Sequence, residues 1–219
     1  VYCGINNLFG EITWFYPTST SNVNNRCVVY NYLDSTQETS IWSTNASSLF
    51  TRTTWEDSSV FGLPHATQYD ADTDTCGTVG NTDGISIYYE HETGVNYIKG
   101  GTSFAVPASI TSGDYDITQD QREGISFRGD GEFIMRVSRI IPDFITQTGN
   151  AIVQLDLRDY PNDAATSSPL GPFTLTPTTT KVDTRARARQ IALTISNTAV
   201  DSNWKLGTFR LDVHSGGRR

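Results

Sequence analysis

Helix signals are scarce in this chain, and so are the residues that staple a fold, cross a membrane or run catalysis. No 11-residue window sets apolar side chains at i, i+3, i+4 and i+7 between recognisable caps, which argues against a bundle or an α/β design. There are three cysteines, Cys3, Cys27 and Cys76, an odd number without a C-x-x-C spacing. They are expected to be small buried hydrophobes in a protein made in a reducing cytoplasm, a single bridge being the alternative. No run approaches the roughly 18 apolar residues of a membrane span, so no membrane insertion by this segment is expected. The N-terminus lacks the basic and apolar regions of a signal peptide. The opening Val1-Tyr2-Cys3-Gly4-Ile5 reads as a strand already under way, so upstream sequence is expected.

Positive charge is rare in the first half. Residues 1–100 hold three basic side chains, Arg26, Arg52 and Lys99, against eleven acidic ones, whereas residues 101–219 hold thirteen of each. The whole net charge of −8 therefore sits in the first half, which would repel nucleic-acid phosphates rather than grip them. Two surfaces with different tasks are implied.

Strand signals, by contrast, run the length of the 219 residues. Glu11–Tyr16, closed by Pro17 and a Thr/Ser/Asn run, predicts an aromatic strand, with Cys27–Tyr32 as its hairpin partner and a third strand around Trp42. The meander from about Ile12 to about Trp55 has the size of one propeller blade, roughly 40 to 50 residues. Beyond residue 115 the strands lengthen and alternate strictly: Glu132–Val137, Ile152–Leu157, Arg189–Ile195 and Phe209–Val213. One apolar and one polar face per strand predicts a two-layer antiparallel sandwich. Gly129-Asp130-Gly131 reads as a turn, and the Thr/Ser/Pro-rich stretch Asn162–Thr180 as a long surface loop able to reach a neighbouring subunit. The fold class read here is thus all-β, with propeller-blade-like meanders over 1–110 and a β-sandwich-like domain over 111–219, its long loop at 162–180.

Candidate chemistry is sparse. Gly101-Thr102-Ser103-Phe104-Ala105-Val106-Pro107 resembles the nucleophile segment of subtilisin-type proteases, but there the serine opens a helix and has a histidine base oriented by an aspartate. Here the following residues read as strand and turn, and no matching context surrounds His65, His91 or His214. Asp70, Asp72 and Asp74 alternate as in the start of a calcium loop, yet Thr75 and Asn81 stand where glycine and the bidentate glutamate are needed, so a solvated acidic loop is the preferred reading. These three are the metal candidates should one bind. Glu90 and Glu92 are expected on one strand face and His91 on the other, which keeps them from converging on a metal. Arg185, Arg187 and Arg189 alternate with Ala186 and Ala188, setting three guanidinium groups along one strand face. A subunit interface is favoured for them over DNA, and an internal salt-bridge ladder is the plain alternative. No G-x-G-x-x-G after a strand, Walker loop, H-E-x-x-H or zinc spacing is present, and the sequon Asn45-Ala46-Ser47 is at chance level. No catalytic residue and no cofactor are assigned.

Several segments together resemble one family: Glu11–Pro17, Tyr30-Asn31-Tyr32, Thr51-Arg52-Thr53 with Trp55, Val60–Pro64, Tyr89-Glu90-His91-Glu92, Arg139–Phe144, Arg187–Gln190 and Trp204–Gly207. In this order they are similar to the C-terminal part of the packaged-DNA stabilisation, tail hub or nozzle proteins of short-tailed bacteriophages. The resemblance implies a virion protein made in the bacterial cytoplasm, a hexameric ring with a β-propeller in each subunit, contacts with the tail adaptor and with fibres or spikes, and transient passage of DNA through the lumen. An acidic lining would suit that passage. The acidic stretch from Asp70 to Gly84 and the lack of further blades depart from the family. A receptor-binding or adhesin module and a glycan-degrading propeller enzyme are the alternatives; the first would bind glycans through exposed Trp or Tyr, the second needs two converging carboxylates.

Overall fold

The computed structural model describes residues 1–45, 52–70, 85–99, 101–120, 124–126, 132–160 and 169–218. All regular structure among them is antiparallel β, and no closed barrel or propeller is present among the described residues. The chain forms two compact units, Val1–Gly94 and Val95–Arg219. The division falls earlier than the boundary at residue 110 read from the sequence, the strands from Asn96 onward belonging to the second unit.

In the first unit, β1 (Tyr2–Asn6), β2 (Glu11–Tyr16), β3 (Arg26–Asn31) and β4 (Ile41–Asn45) form a four-stranded meander in sequence order; it begins earlier than the meander expected from Ile12 to Trp55, because Tyr2–Asn6 pairs with β2, and Trp55 falls in the next sheet. β2 and β3 pair as the sequence predicts, Phe15 lying opposite Cys27. β5 (Thr54–Glu56), β6 (His65–Asp70) and β7 (Ile85–Glu90) form a second sheet. Alternation sends Phe15 and Cys27 from the first sheet and Trp55, Ala66 and Tyr89 from the second inward, and the Phe15 and Trp55 rings lie 6.0 Å apart. Gly4 makes this packing possible, since a Cβ there would stand 2.4 Å from Trp55 Cγ. The indole is fixed by its Nε1, which donates to the Ile5 carbonyl at 2.7 Å. Cys27 is buried as expected, but Cys3 is exposed, because β1 turns it to the open face of the meander. Cys76 and the turn at Gly129–Gly131 lie outside the described residues.

The second unit opens with the hairpin β8 (Asn96–Lys99) and β9 (Thr102–Ala105), followed by β10 (Ala108–Thr111) and the short pair β11 (Thr118–Asp120) and β12 (Gly124–Ser126). Then come β13 (Phe133–Ile141), β14 (Phe144–Thr148), β15 (Ala151–Arg158), β16 (Leu170–Leu175), β17 (Val182–Ala188), β18 (Gln190–Asn197), β19 (Asn203–Leu206) and β20 (Arg210–Arg218). One sheet runs β10-β18-β15-β16 and the other β17-β13-β20. Val153, Leu155, Leu175, Ile191 and Ile195 from the first pack with Met135, Val137, Ile140, Ala186 and Ala188 from the second, all essentially inaccessible to solvent. This is the two-layer sandwich that the alternating strands predict. Fully burying a side chain such as Leu155 or Ile195 contributes roughly 1.5–3 kcal/mol.

Two details depart from simple alternation. The loop expected over 162–180 contains β16, which pairs with β15. Its Leu-Gly-Pro-Phe-Thr-Leu sequence hides a strand behind loop residues, and the proline is tolerated because β16 is an edge strand. Residues 161–168 lie outside the described part. In β13, Val137 and Ile140 both face the core although three residues apart, which strict alternation forbids. A bulge between Val137 and Arg139 in both ladders absorbs the extra residue.

Candidate interaction surface

The bulge divides the outer face of the β17-β13-β20 sheet into two cross-strand rows. In one, Arg139 lies opposite Asp183 of β17 and Asp212 of β20. Arg139 Nε donates to Asp183 Oδ1 at 3.0 Å, and Lys181 Nζ sits 3.1 Å from Asp183 Oδ2. Those bonds, Arg139 first, hold the Asp183 carboxyl below the usual carboxylate range. Acid and base compensate within this row.

The other row does not compensate. Arg136 of β13 lies directly opposite Arg187 of β17 on one side and His214 of β20 on the other. Arg185 stands two residues along β17 on the same face, and Arg136, Arg185 and Arg187 are all exposed. Facing residues on neighbouring strands hold their Cβ atoms about 4.5–5.5 Å apart, and like charges so placed repel. Among the described residues none of these three arginines makes an ion pair, so Arg185 and Arg187 join no internal salt-bridge ladder there. His214 Nε2 lies 3.3 Å from Asp212 Oδ1.

Arg189 does not continue the row. β17 ends at Ala188, and the Arg189 backbone turns toward β15, its N–H donating to the Arg158 carbonyl at 3.1 Å. Its side chain donates to the Glu132 carbonyl at 3.0 Å and lies 5.6 Å from the Tyr160 ring centroid. Of the three arginines singled out in the sequence, two remain on the surface, joined by Arg136 from a strand about 50 residues away in the chain.

In the first unit the Tyr89–Glu92 segment departs from the expected alternation. β7 ends at Glu90, and Glu92 takes a left-handed backbone, φ 62°, so the two glutamates diverge. Glu90 points outward, in a row with His65 of β6 and Glu56 of β5. Glu56 and Glu90 are exposed, and His65 stacks on the exposed Tyr88 and is hydrogen-bonded to its hydroxyl. His91 turns the other way: its Nε2 accepts from Nε of the buried Arg52 at 2.9 Å, and its ring lies 4.5 Å from that of Trp55. Arg52 also donates to Gln68 Oε1 at 2.8 Å and sits 4.2 Å over the Tyr89 ring. Burial, with the Arg52 charge and then His65 adding to it, drives the His91 pKa down to about 3. Glu92 Oε1 accepts from Asn6 Nδ2 at 2.8 Å, and burial raises its pKa despite that bond. Glu11 is raised by burial and by the charge of Glu92.

Ser103 lies in β9, opposite Ile98 of β8, and is exposed; the strand continues where a subtilisin-type serine would begin a helix. The three histidines engage Tyr88, Arg52 and Asp212. Asp70 ends β6, while its side chain, Asp72 and Asp74 lie outside the described residues. Among the described residues no three His, Cys, Asp or Glu side chains gather as a metal site would require.

The register that unites Arg187, Arg136 and His214, and Glu56, His65 and Glu90, leaves no local trace in sequence, because it depends on which distant strands pair. Comparison with known proteins finds no protein-family model matching this chain and no curated protein of significantly similar sequence.

Proposed function

We propose that this chain is a non-catalytic structural subunit of a short-tailed phage tail, part of a hub or nozzle that assembles as a ring around the DNA channel. The family resemblance supplies the identity of the assembly, and one observation carries the assembly role: an uncompensated arginine row on the rigid outer face of a sandwich. Such a row repels itself in the isolated subunit and gains from an acidic partner. The acidic first unit, with two basic against eleven acidic side chains, suits a channel that must not hold DNA. Adaptor and fibre or spike proteins would be the remaining neighbours.

The test is the oligomeric mass of the full-length protein by light scattering, with class averages from negative-stain microscopy. A six-fold ring with an axial hole is the expected result; a stable trimer overturns the hub reading.

A second reading, a receptor-binding module, draws on the open face of the meander. Tyr30 lies opposite Trp42 with ring centroids 4.7 Å apart, Trp14 stacks 6.1 Å from Trp42, and Trp42 is 55% exposed. Aromatic platforms of this kind suit sugar faces. Glycan-dependent quenching of tryptophan fluorescence, lost in Trp42→Ala, would favour it.

A further inference from the structure

We infer that the arginine row of the sandwich docks on the outer face of the β5-β6-β7 sheet of a second copy of this chain. The inference deepens the ring proposal and rests on it for the symmetry, though the contact itself does not need a phage.

The two faces are complementary. Each is the outer side of a three-stranded antiparallel sheet, carrying one row of three side chains across its strands: Arg187, Arg136 and His214 on one, Glu56, His65 and Glu90 on the other. In the acidic row the two carboxylates flank the central imidazole, about 10 Å apart at a strand spacing of about 4.8 Å. An arginine pair at one strand spacing, with Arg185 two residues along, can span that gap because the side chains are long and flexible. Among the described residues Arg136, Arg185 and Arg187 on the one face and Glu56 and Glu90 on the other make no ion pair, the carboxylates of the basic face being engaged by Arg139, Lys181 and His214.

Charge at the scale of the units points the same way. The first unit, Val1–Gly94, carries two basic and eleven acidic side chains, a net −9, whereas Val95–Arg219 carries fourteen and thirteen, a net +1. Aromatic side chains border the acidic row: Tyr88 is 63% exposed and Phe61, whose ring meets His65 edge-on at 4.8 Å, is 57% exposed. Arginine against tyrosine, phenylalanine and carboxylate is the composition that concentrates binding energy in interfaces. The two surfaces belong to different parts of the chain, so the contact is heterologous and repeats from copy to copy, closing into a ring or extending as a filament.

A charge swap tests this on the full chain. Arg185→Glu/Arg187→Glu reverses one face and Glu56→Lys/Glu90→Lys the other, and all four positions are exposed. Sedimentation velocity and light scattering from low concentration to about 100 μM, at low and high salt, should show salt-sensitive association of the wild type. Each double variant should weaken it at least about tenfold. Mixing the two variants, or joining all four changes in one chain, should restore it. A wild type that stays monomeric, or variants that assemble as it does, overturns the inference. So does a monomer whose stability the four-fold swap alone restores, which would place the contact within one chain. Salt-dependent binding of a duplex DNA that Arg185→Glu/Arg187→Glu abolishes, without self-association, overturns it in favour of phosphate recognition. A six-fold ring indifferent to the swaps would sink this contact and leave the hub reading; a swap-sensitive trimer would do the reverse.

Discussion

Arg136 and Arg187 face each other directly across the β13–β17 ladder, and neither makes an ion pair among the described residues. The outer face of the sandwich therefore holds a repulsion that the fold tolerates and only an external anion relieves. In the unassociated chain, Arg187→Ala should be neutral or stabilising, by about 0.2–1 kcal/mol. The gain should shrink in high salt, where repulsion between exposed charges is screened. Arg139→Ala, which loses the Asp183 contact, should give no gain. Urea midpoints of the two variants at low and high salt decide the matter, and a clear loss of stability in Arg187→Ala would contradict the repulsion.

Gly4 is required by its neighbour rather than by its backbone. A methyl group there would stand 2.4 Å from Trp55 Cγ and 2.7 Å from Cδ1, and the indole is pinned by the Ile5 carbonyl. Gly4→Ala should cost about 1–3 kcal/mol, the range of overpacked sites. It should also shift the emission of Trp55. Gly113→Ala, with open space around the new atom, should change stability by no more than about 0.5 kcal/mol.

Much of this was legible in the chain, and what was not has a common cause. Glu11–Tyr16 declares itself through its aromatic and β-branched residues and Ile152–Leu157 through period-two alternation, and the outward placement of Arg185 and Arg187 follows from the intervening alanines. Arg189 fails the same rule because its strand has ended. Composition misled at β16, where Gly171 and Pro172 look like loop, and at Cys3, where small size suggested burial. Arg136, His214, Glu56 and His65 became site residues only through pairing between distant strands, which periodicity cannot specify.

The sandwich core should respond to truncation as a single packed layer. Leu155 and Ile110 belong to the same sheet, but Leu155 is inaccessible to solvent and Ile110 is 48% exposed. Leu155→Ala should cost about 2–5 kcal/mol, transfer and cavity together. Ile110→Ala should cost well under half as much. Equal losses at the two sites, measured by denaturant unfolding, would mean that the β10 face is covered in solution.

The first unit should carry two opposed pH dependences, separable by mutation. His91 is neutral in the fold, with a pKa near 3 against an ordinary 6.5, so its contribution is full above 6.5 and is lost as pH falls from there toward 3. Over that window the unfolded chain takes up a proton that the folded one refuses, a slope approaching about 1.4 kcal/mol per pH unit. Glu92 and Glu11 act with the opposite sign: their folded pKa values are raised above 4.5, so their contribution is full below 4.5 and is lost as pH rises through the folded values. His91→Gln keeps an acceptor for Arg52 but cannot titrate, and it should flatten the loss of stability between pH 6.5 and 4.5. Glu92→Gln keeps the acceptor for Asn6 Nδ2 and should raise stability at pH 7, since it removes a partly desolvated charge and the repulsion with Glu11. Unfolding followed by tryptophan emission in a Trp204→Phe background, which leaves only the indoles of the first unit, Trp55 beside His91 among them, reads both effects in the unit concerned. An acid slope unchanged in His91→Gln would mean that Arg52 and Trp55 do not hold this imidazole neutral.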